Sequence, residues 1–274
     1  MKKELTIIKL GGSLLTDKSK PYTARKSVIE SAAKELKICI DEGLIESLVI
    51  VHGVGSYGHP PVLEYKLHMG YKGPEQFLSL SKTQRVVNEF RFLLTEEFQK
   101  AGLSVNLLHA SSMVVAEKMR IADAYFEPLK GWLSLGMIPL LGGDLLYDTT
   151  MGFSVGSGDI LAVELAKRLK AKRLVFAMDV PGIYNENPRT NPDALLLDTI
   201  DIHDVFQILE GMQQIGKLDA SGAMKGKLSS ISVAMDLIEE GLETTLLSMM
   251  EYGNLIGLLK GQNIKCTRII GKKS

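Results

Sequence analysis

Cysteine is almost missing from this chain. Cys39 and Cys266 are its two examples, with neither the spacing of a zinc site nor the number that a disulfide framework needs. An excess of one charge is missing as well. Lys+Arg and Asp+Glu both number 32, and this balance argues against a surface that coats nucleic acid, while leaving room for a local basic pocket. No apolar run approaches the roughly 18–20 residues that cross a bilayer, and no secretory pattern opens the chain. The expectation is therefore a cytoplasmic protein that engages neither membrane nor nucleic acid. Internal repeats, low-complexity segments, the G-x-x-x-x-G-K-[ST] phosphate loop, a Ser–His–Asp order and a metal-ligand cluster are absent too.

What is there reads as a globular α/β protein. Apolar residues make up 45% of the chain, and 274 residues suffice for one large domain or two lobes. Short apolar runs alternate with helical patterns, the signature of a mainly parallel sheet. Strands are expected at residues 6–10, 47–51, 105–108, 138–141, 173–177, 244–247 and 267–270. Helices are expected at 24–42, 75–101, 124–135 (interrupted near Pro128), 160–169, and in a segment ending near residue 240. A hairpin-like stretch follows Gly142-Gly143-Asp144. A helix ends near residue 170, which suggests lobes spanning 1–170 and 171–274.

The chemistry gathers around one stretch, Lys9-Leu10-Gly11-Gly12-Ser13 with Thr16-Asp17-Lys18. Glycines after a strand let backbone N–H groups approach an anion. Lys9, at the strand tip, reads either as a solvated lysine or as a cation for transferred phosphate. Lys18 reads as a surface lysine, or as one that folds back over that phosphate. A second strand runs into His52-Gly53-Val54-Gly55-Ser56-Tyr57-Gly58-His59-Pro60, expected as a glycine-rich turn. Two such turns imply a shared ligand edge at the strand C-termini. There His59 could donate a hydrogen bond to an anionic acceptor, whereas His52 reads as structural. Asp159, after Gly156-Ser157-Gly158, is a helix-start carboxylate or an acceptor that organises two lysines. Asp179 is a turn aspartate or a nucleotide contact. Lys227, in competition with Lys225, sits where a helix dipole disfavours a cation, a hint of an anionic ligand. A nucleotide kinase also needs Mg²⁺, held mainly by phosphate oxygens and water.

On these motifs, with Asp179-Val180-Pro181-Gly182-Ile183-Tyr184 and Asn191-Pro192-Asp193-Ala194, the chain resembles the amino acid kinase superfamily nearly end to end. The Gly-x-Gly-Ser-aromatic-Gly-His turn narrows the resemblance to the isopentenyl phosphate kinases and the related fosfomycin kinases. The resemblance implies a three-layer αβα sandwich, an N-terminal acceptor lobe, a C-terminal nucleotide lobe and a homodimer. It implies transfer from ATP to isopentenyl phosphate. Lys9 and Lys18 would contact the transferred group, and His59, Val54, Gly55 and Gly158 the acceptor's phosphate. Asp159 would organise Lys9 and Lys227. Lys9, Gly11, Gly12, Ser13, Gly55, Asp179, Gly182, Tyr184, Gly222 and Lys227 would line the nucleotide site. Val54 and Asp219-Ala220-Ser221-Gly222-Ala223-Met224 depart from the pattern, so a phosphonate kinase stays open, as does a non-catalytic nucleotide sensor. The helix face bearing Leu80, Thr83, Val87 and Phe90 is expected to wall the acceptor's apolar tail, where burial is worth roughly 0.8 kcal/mol per CH₂.

Overall fold

The computed structural model describes residues 3–186, 188, 191–215 and 223–271. In chain order come β1 (Leu5–Leu10), α1 (Gly12–Leu15), α2 (Lys26–Asp41), β2 (Ser47–His52), α3 (Gly55–Glu64), α4 (Phe77–Lys100) and β3 (Val105–Leu107). Then follow β4 (Val114–Glu117), β5 (Arg120–Ala124), α5 (Glu127–Ser134), β6 (Ile138–Gly142), β7 (Asp144–Asp148), β8 (Gly152–Gly156) and α6 (Gly158–Leu169). The remainder is β9 (Arg173–Met178), β10 (Thr199–Asp201), α7 (Val205–Ile215), α8 (Ala223–Ser232), α9 (Met235–Glu239), β11 (Glu243–Ser248), α10 (Asn254–Leu259) and β12 (Cys266–Ile270).

Eight strands form one sheet in the order β10-β12-β11-β9-β1-β2-β6-β3. Its pairings are parallel except for β11 with β12. Both faces are covered, so the central strands are apolar throughout and their side chains sort by alternation. Ile7, Val49, Val51, Leu174 and Phe176 pack on one side with α6 and α8. Ile8, Leu48, Ile50, Val175 and Ala177 pack on the other with α2, α4 and α10. This is the expected three-layer αβα sandwich. The sheet runs without a break across residue 170, because β9 pairs with β1 along Thr6–Leu10.

Three local expectations change, and a hairpin-like stretch that was expected gains partners. The glycine-rich stretch after His52 is mostly helix: α3 starts at Gly55 and carries Pro60 and Pro61 inside it. Pro60 removes the N–H that would bond the Ser56 carbonyl, and the Tyr22 N–H bonds that carbonyl instead at 3.0 Å. Pro128 lies in the first turn of α5, where a missing N–H leaves no bond unmade, so it starts that helix. The segment ending near residue 240 is two helices, broken between Ser232 and Met235. The hairpin-like stretch, β7 with β8, belongs to a second, four-stranded sheet in the order β5-β4-β7-β8.

Candidate active site

β1 delivers Lys9 to the face shared with Ile7, beneath α6 and α8. There its ammonium lies 2.7 Å from Asp159 Oδ1, and Lys227 Nζ lies 2.8 Å from the same oxygen. Ser157 caps α6 by accepting the Asp159 N–H, which fixes the carboxylate at the helix start. Burial tends to raise the Asp159 pKa, but the two ammoniums outweigh it and hold the carboxyl at about 2. Lys227 is buried over the Phe176 ring, with its nitrogen 4.9 Å from the centroid. Burial and then the Lys9 charge lower its pKa to about 8, against the opposing pull of Asp159. Lys225 is exposed, so of the two lysines it is Lys227 that meets Asp159.

The two glycine turns touch each other. A Cβ on Gly12 would stand 2.6 Å from Gly55 N, and one on Gly53 2.5 Å from Gly12 N. These glycines therefore serve backbone-to-backbone packing as well as any ligand. Gly55 adds a positive φ of 46°, which disfavours a side chain. Thr16 bridges the turns: its hydroxyl donates to Gly12 O and accepts the Ser56 N–H. Gly11 lies against Ala177 O at the β9 tip, and Ser13 Oγ donates to Asp179 Oδ1 at 2.8 Å. The loop carrying Lys18 is pinned to α3, with Thr23 N–H donating to Ser56 Oγ and Tyr22 N–H to Ser56 O.

His59 is exposed on the second turn of α3. Desolvation on its protein-facing side, and then the Lys18 and Lys9 charges, lower its pKa, so both ammoniums act on the ring. Val54 is half-buried, and its side chain fills the space a Cβ on Gly58 would need. Gly158, the first residue of α6, leaves room for His52 O and Gly143 N. Gly182 stands against β12: a Cβ there would meet Thr267 Oγ1 at 2.3 Å. Tyr184 is bridged to Leu196. Gly222 lies outside the described residues.

Of the expected tail wall, Thr83 and Val87 are buried and Leu80 packs with Leu145, Phe153 and Val155 of the β7–β8 hairpin. Phe90 belongs elsewhere. It is fully buried in the opposite core and stacks on Tyr57 at 4.7 Å. Sequence reasoning also missed a buried network behind this wall. Arg91 Nη2 lies 3.1 Å from Asp144 Oδ2 and donates to Gly143 O, while Arg91 Nη1 contacts Asn88 and His109. Asp144 after two glycines was its only trace in the sequence.

A sandwich in which Lys9 at a glycine-lined strand tip meets a helix-start carboxylate and Lys227 of α8 suits a phosphotransferase, and the chain belongs to the amino acid kinase family, whose model matches residues 4–246. Within that family it is similar to isopentenyl phosphate kinases. The enzyme of that name from Methanothermobacter thermautotrophicus is 32% identical, over 98% of this chain and 100% of the relative. The one from Methanocaldococcus jannaschii is 30% identical, over 83% and 86%. A solved structure of isopentenyl phosphate kinase superposes with a TM-score of 0.80 at 29% identity, covering 97% of this chain and 99% of that one.

Proposed function

We propose that this chain is an ATP-dependent kinase that phosphorylates isopentenyl phosphate to isopentenyl diphosphate. The observation that carries the reading is the sharing of Asp159 Oδ1 by Lys9 and Lys227, two ammoniums on one carboxylate, next to the glycine turns. It is supported by similarity to isopentenyl phosphate kinases along nearly the whole chain.

In this reading an oxygen of the acceptor's phosphate attacks the γ-phosphorus, the bond to the β-phosphate oxygen breaks, and ADP leaves. Such a transfer needs positioning and charge neutralisation more than covalent help. Lys9 and Lys18 neutralise the transferred group, and Asp159 keeps Lys9 and Lys227 apart and aimed. His59 hydrogen-bonds the acceptor's phosphate, whose negative charge raises the imidazole's lowered pKa on binding. The amides of Val54, Gly55 and Gly158 complete that cradle. Gly11, Gly12, Ser13, Asp179, Gly182, Tyr184 and Lys227 face the nucleotide. Leu80, Thr83 and Val87 wall the apolar tail.

Mg²⁺ bridged by nucleotide oxygens and water would neutralise phosphate charge. Among this chain's own carboxylates, Asp159 is held by two ammoniums and Asp179 accepts from Ser13, so the ion would be held mainly by phosphate oxygens and water. Residues 1–170 supply the acceptor lobe and 171–274 the nucleotide lobe. A cytoplasmic homodimer without nucleic-acid partners completes the reading. The balance of charge supports the last point, and no described helix is long and apolar enough to cross a membrane.

A coupled assay of ADP release tests the proposal with isopentenyl phosphate and fosfomycin side by side. Turnover of the first, lost in Lys9→Ala and His59→Ala, is expected. Turnover of the phosphonate alone would overturn it.

A further inference from the structure

His52 is fully buried, sits at the tip of β2, and has no part in the chemistry above. Its neighbours are nonetheless the backbone segments that frame the acceptor side. Its ring Nδ1 lies 3.2 Å from the carbonyl of Gly53. A carbonyl can only accept, so Nδ1 carries the proton. The other ring nitrogen, Nε2, is buried without a hydrogen-bond partner, as suits a bare lone pair. The ring packs edge-on against Phe90 at 5.9 Å and so close to Gly142 that a Cβ there would stand 2.5 Å from it. The His52 carbonyl accepts the Gly143 N–H at 3.2 Å and lies against Gly158.

One consequence is stereochemical. In a trans peptide the C=O and the following N–H point in opposite directions. Holding the Gly53 carbonyl against the imidazole therefore turns the Val54 N–H away from it. Among the described residues neither the Val54 nor the Gly55 N–H donates to any protein group. Both lie at the start of α3, where N–H groups have no helical partner.

We infer that His52 is a positioning residue for the acceptor: its Nδ1–H clamps the Gly53 carbonyl and so aims the Val54 and Gly55 amides at the acceptor's phosphate. Burial and then the neighbouring Arg91 charge lower the His52 pKa to about 3, so the clamp is a neutral, pH-independent donor across the working range. The inference rests on the acceptor reading proposed above and extends it to a residue that never touches substrate.

The test uses three variants of the full chain, assayed with ATP and isopentenyl phosphate, each with its melting temperature. Asparagine places an amide N–H where Nδ1 stands, glutamine places it nearer Nε2, and leucine has none. His52→Leu and His52→Gln are expected to raise the acceptor KM roughly tenfold, the size of one hydrogen bond, with the ATP KM unchanged. His52→Asn is expected to recover most of it. An unchanged acceptor KM in His52→Leu overturns the inference. So does a set in which Asn and Gln lose activity equally and in step with melting temperature. If leucine does not fold, the Asn–Gln pair decides. Failure of the wild-type protein to turn over isopentenyl phosphate would instead sink the acceptor reading itself.

Discussion

Two ammoniums against one carboxylate leave one positive charge uncompensated, and it sits where the protein is least able to hydrate it. The lowered pKa of Lys227 is the signature of that arrangement. Between about 8 and its ordinary value of 10.5, the unfolded chain keeps this proton while the folded chain has lost it. Stability therefore rises with pH across that window as far as Lys227 decides it. Activity should do the reverse, because the neutral amine no longer offers charge to phosphate. We expect kcat/KM, which reports the free enzyme, to fall with an apparent pKa near 8 while the melting temperature does not. The limb in kcat should lie at higher pH, since bound phosphate favours the charged lysine. Lys227→Arg should remove the limb from both profiles. Melting temperature and kcat/KM falling together would mean that alkaline loss is unfolding. The sequence marked Lys9 and Asp159 by their glycine punctuation. It could not choose between Lys225 and Lys227, because that choice depends on which face of α8 meets Phe176, a contact across 51 positions.

At the scale of elements, α1, α3 and the loop carrying Lys18 behave as one unit. Thr16 ties α1 to α3, and Ser56 ties α3 to the loop through both its hydroxyl and its carbonyl. A proline within the helix makes this possible by freeing that carbonyl. The sequence therefore read as a glycine-rich turn what is a helix with one carbonyl reserved for a neighbour. Ser56→Ala deletes the hydroxyl pin and leaves the carbonyl one. It is expected to lower kcat about tenfold by loosening Lys18, while costing about 1 kcal/mol of stability, the scale of one hydrogen bond. Thr16→Val leaves Ser56 N–H without its partner and should cost more, about 1–3 kcal/mol, whereas Thr16→Ser should retain both bonds. Denaturant melts and steady-state rates on the three variants check the order. Equal effects of Ser and Val at position 16 would show that the hydroxyl is not the link. The glycines were legible as close-approach positions, but not what approaches: Gly12 and Gly55 meet each other, a contact that exists only once β1 and β2 pair.

At the scale of the molecule, the acceptor and nucleotide lobes proposed above share one sheet. β1 belongs to the first lobe and β9 to the second, yet they pair in register from Thr6↔Arg173 to Leu10↔Ala177. Both cores draw on both halves: Ile7, Val49 and Leu141 share one with Leu228, Leu246 and Ile269, and Ile8, Leu36 and Phe98 share the other with Leu247 and Cys266. The sequence could place strands and helices by their periods, but not their order in the sheet. A boundary near residue 170 looks the same whether the next strand starts a new sheet or joins the old one. The second sheet was harder still, since β4 is only four residues long and its partner β5 is mostly exposed, without the apolar run that betrays a buried strand. Neither half can unfold without exposing the centre of the other's sheet. We therefore expect a single thermal transition, with calorimetric and van't Hoff enthalpies in agreement. ATP alone or isopentenyl phosphate alone should move that whole transition upward, by about 2.7 kcal/mol in stability at a hundredfold excess over Kd. Two transitions, each shifted by only one of the two ligands, would mean that the lobes are separate folding units and that the β1–β9 seam is weaker than its register implies.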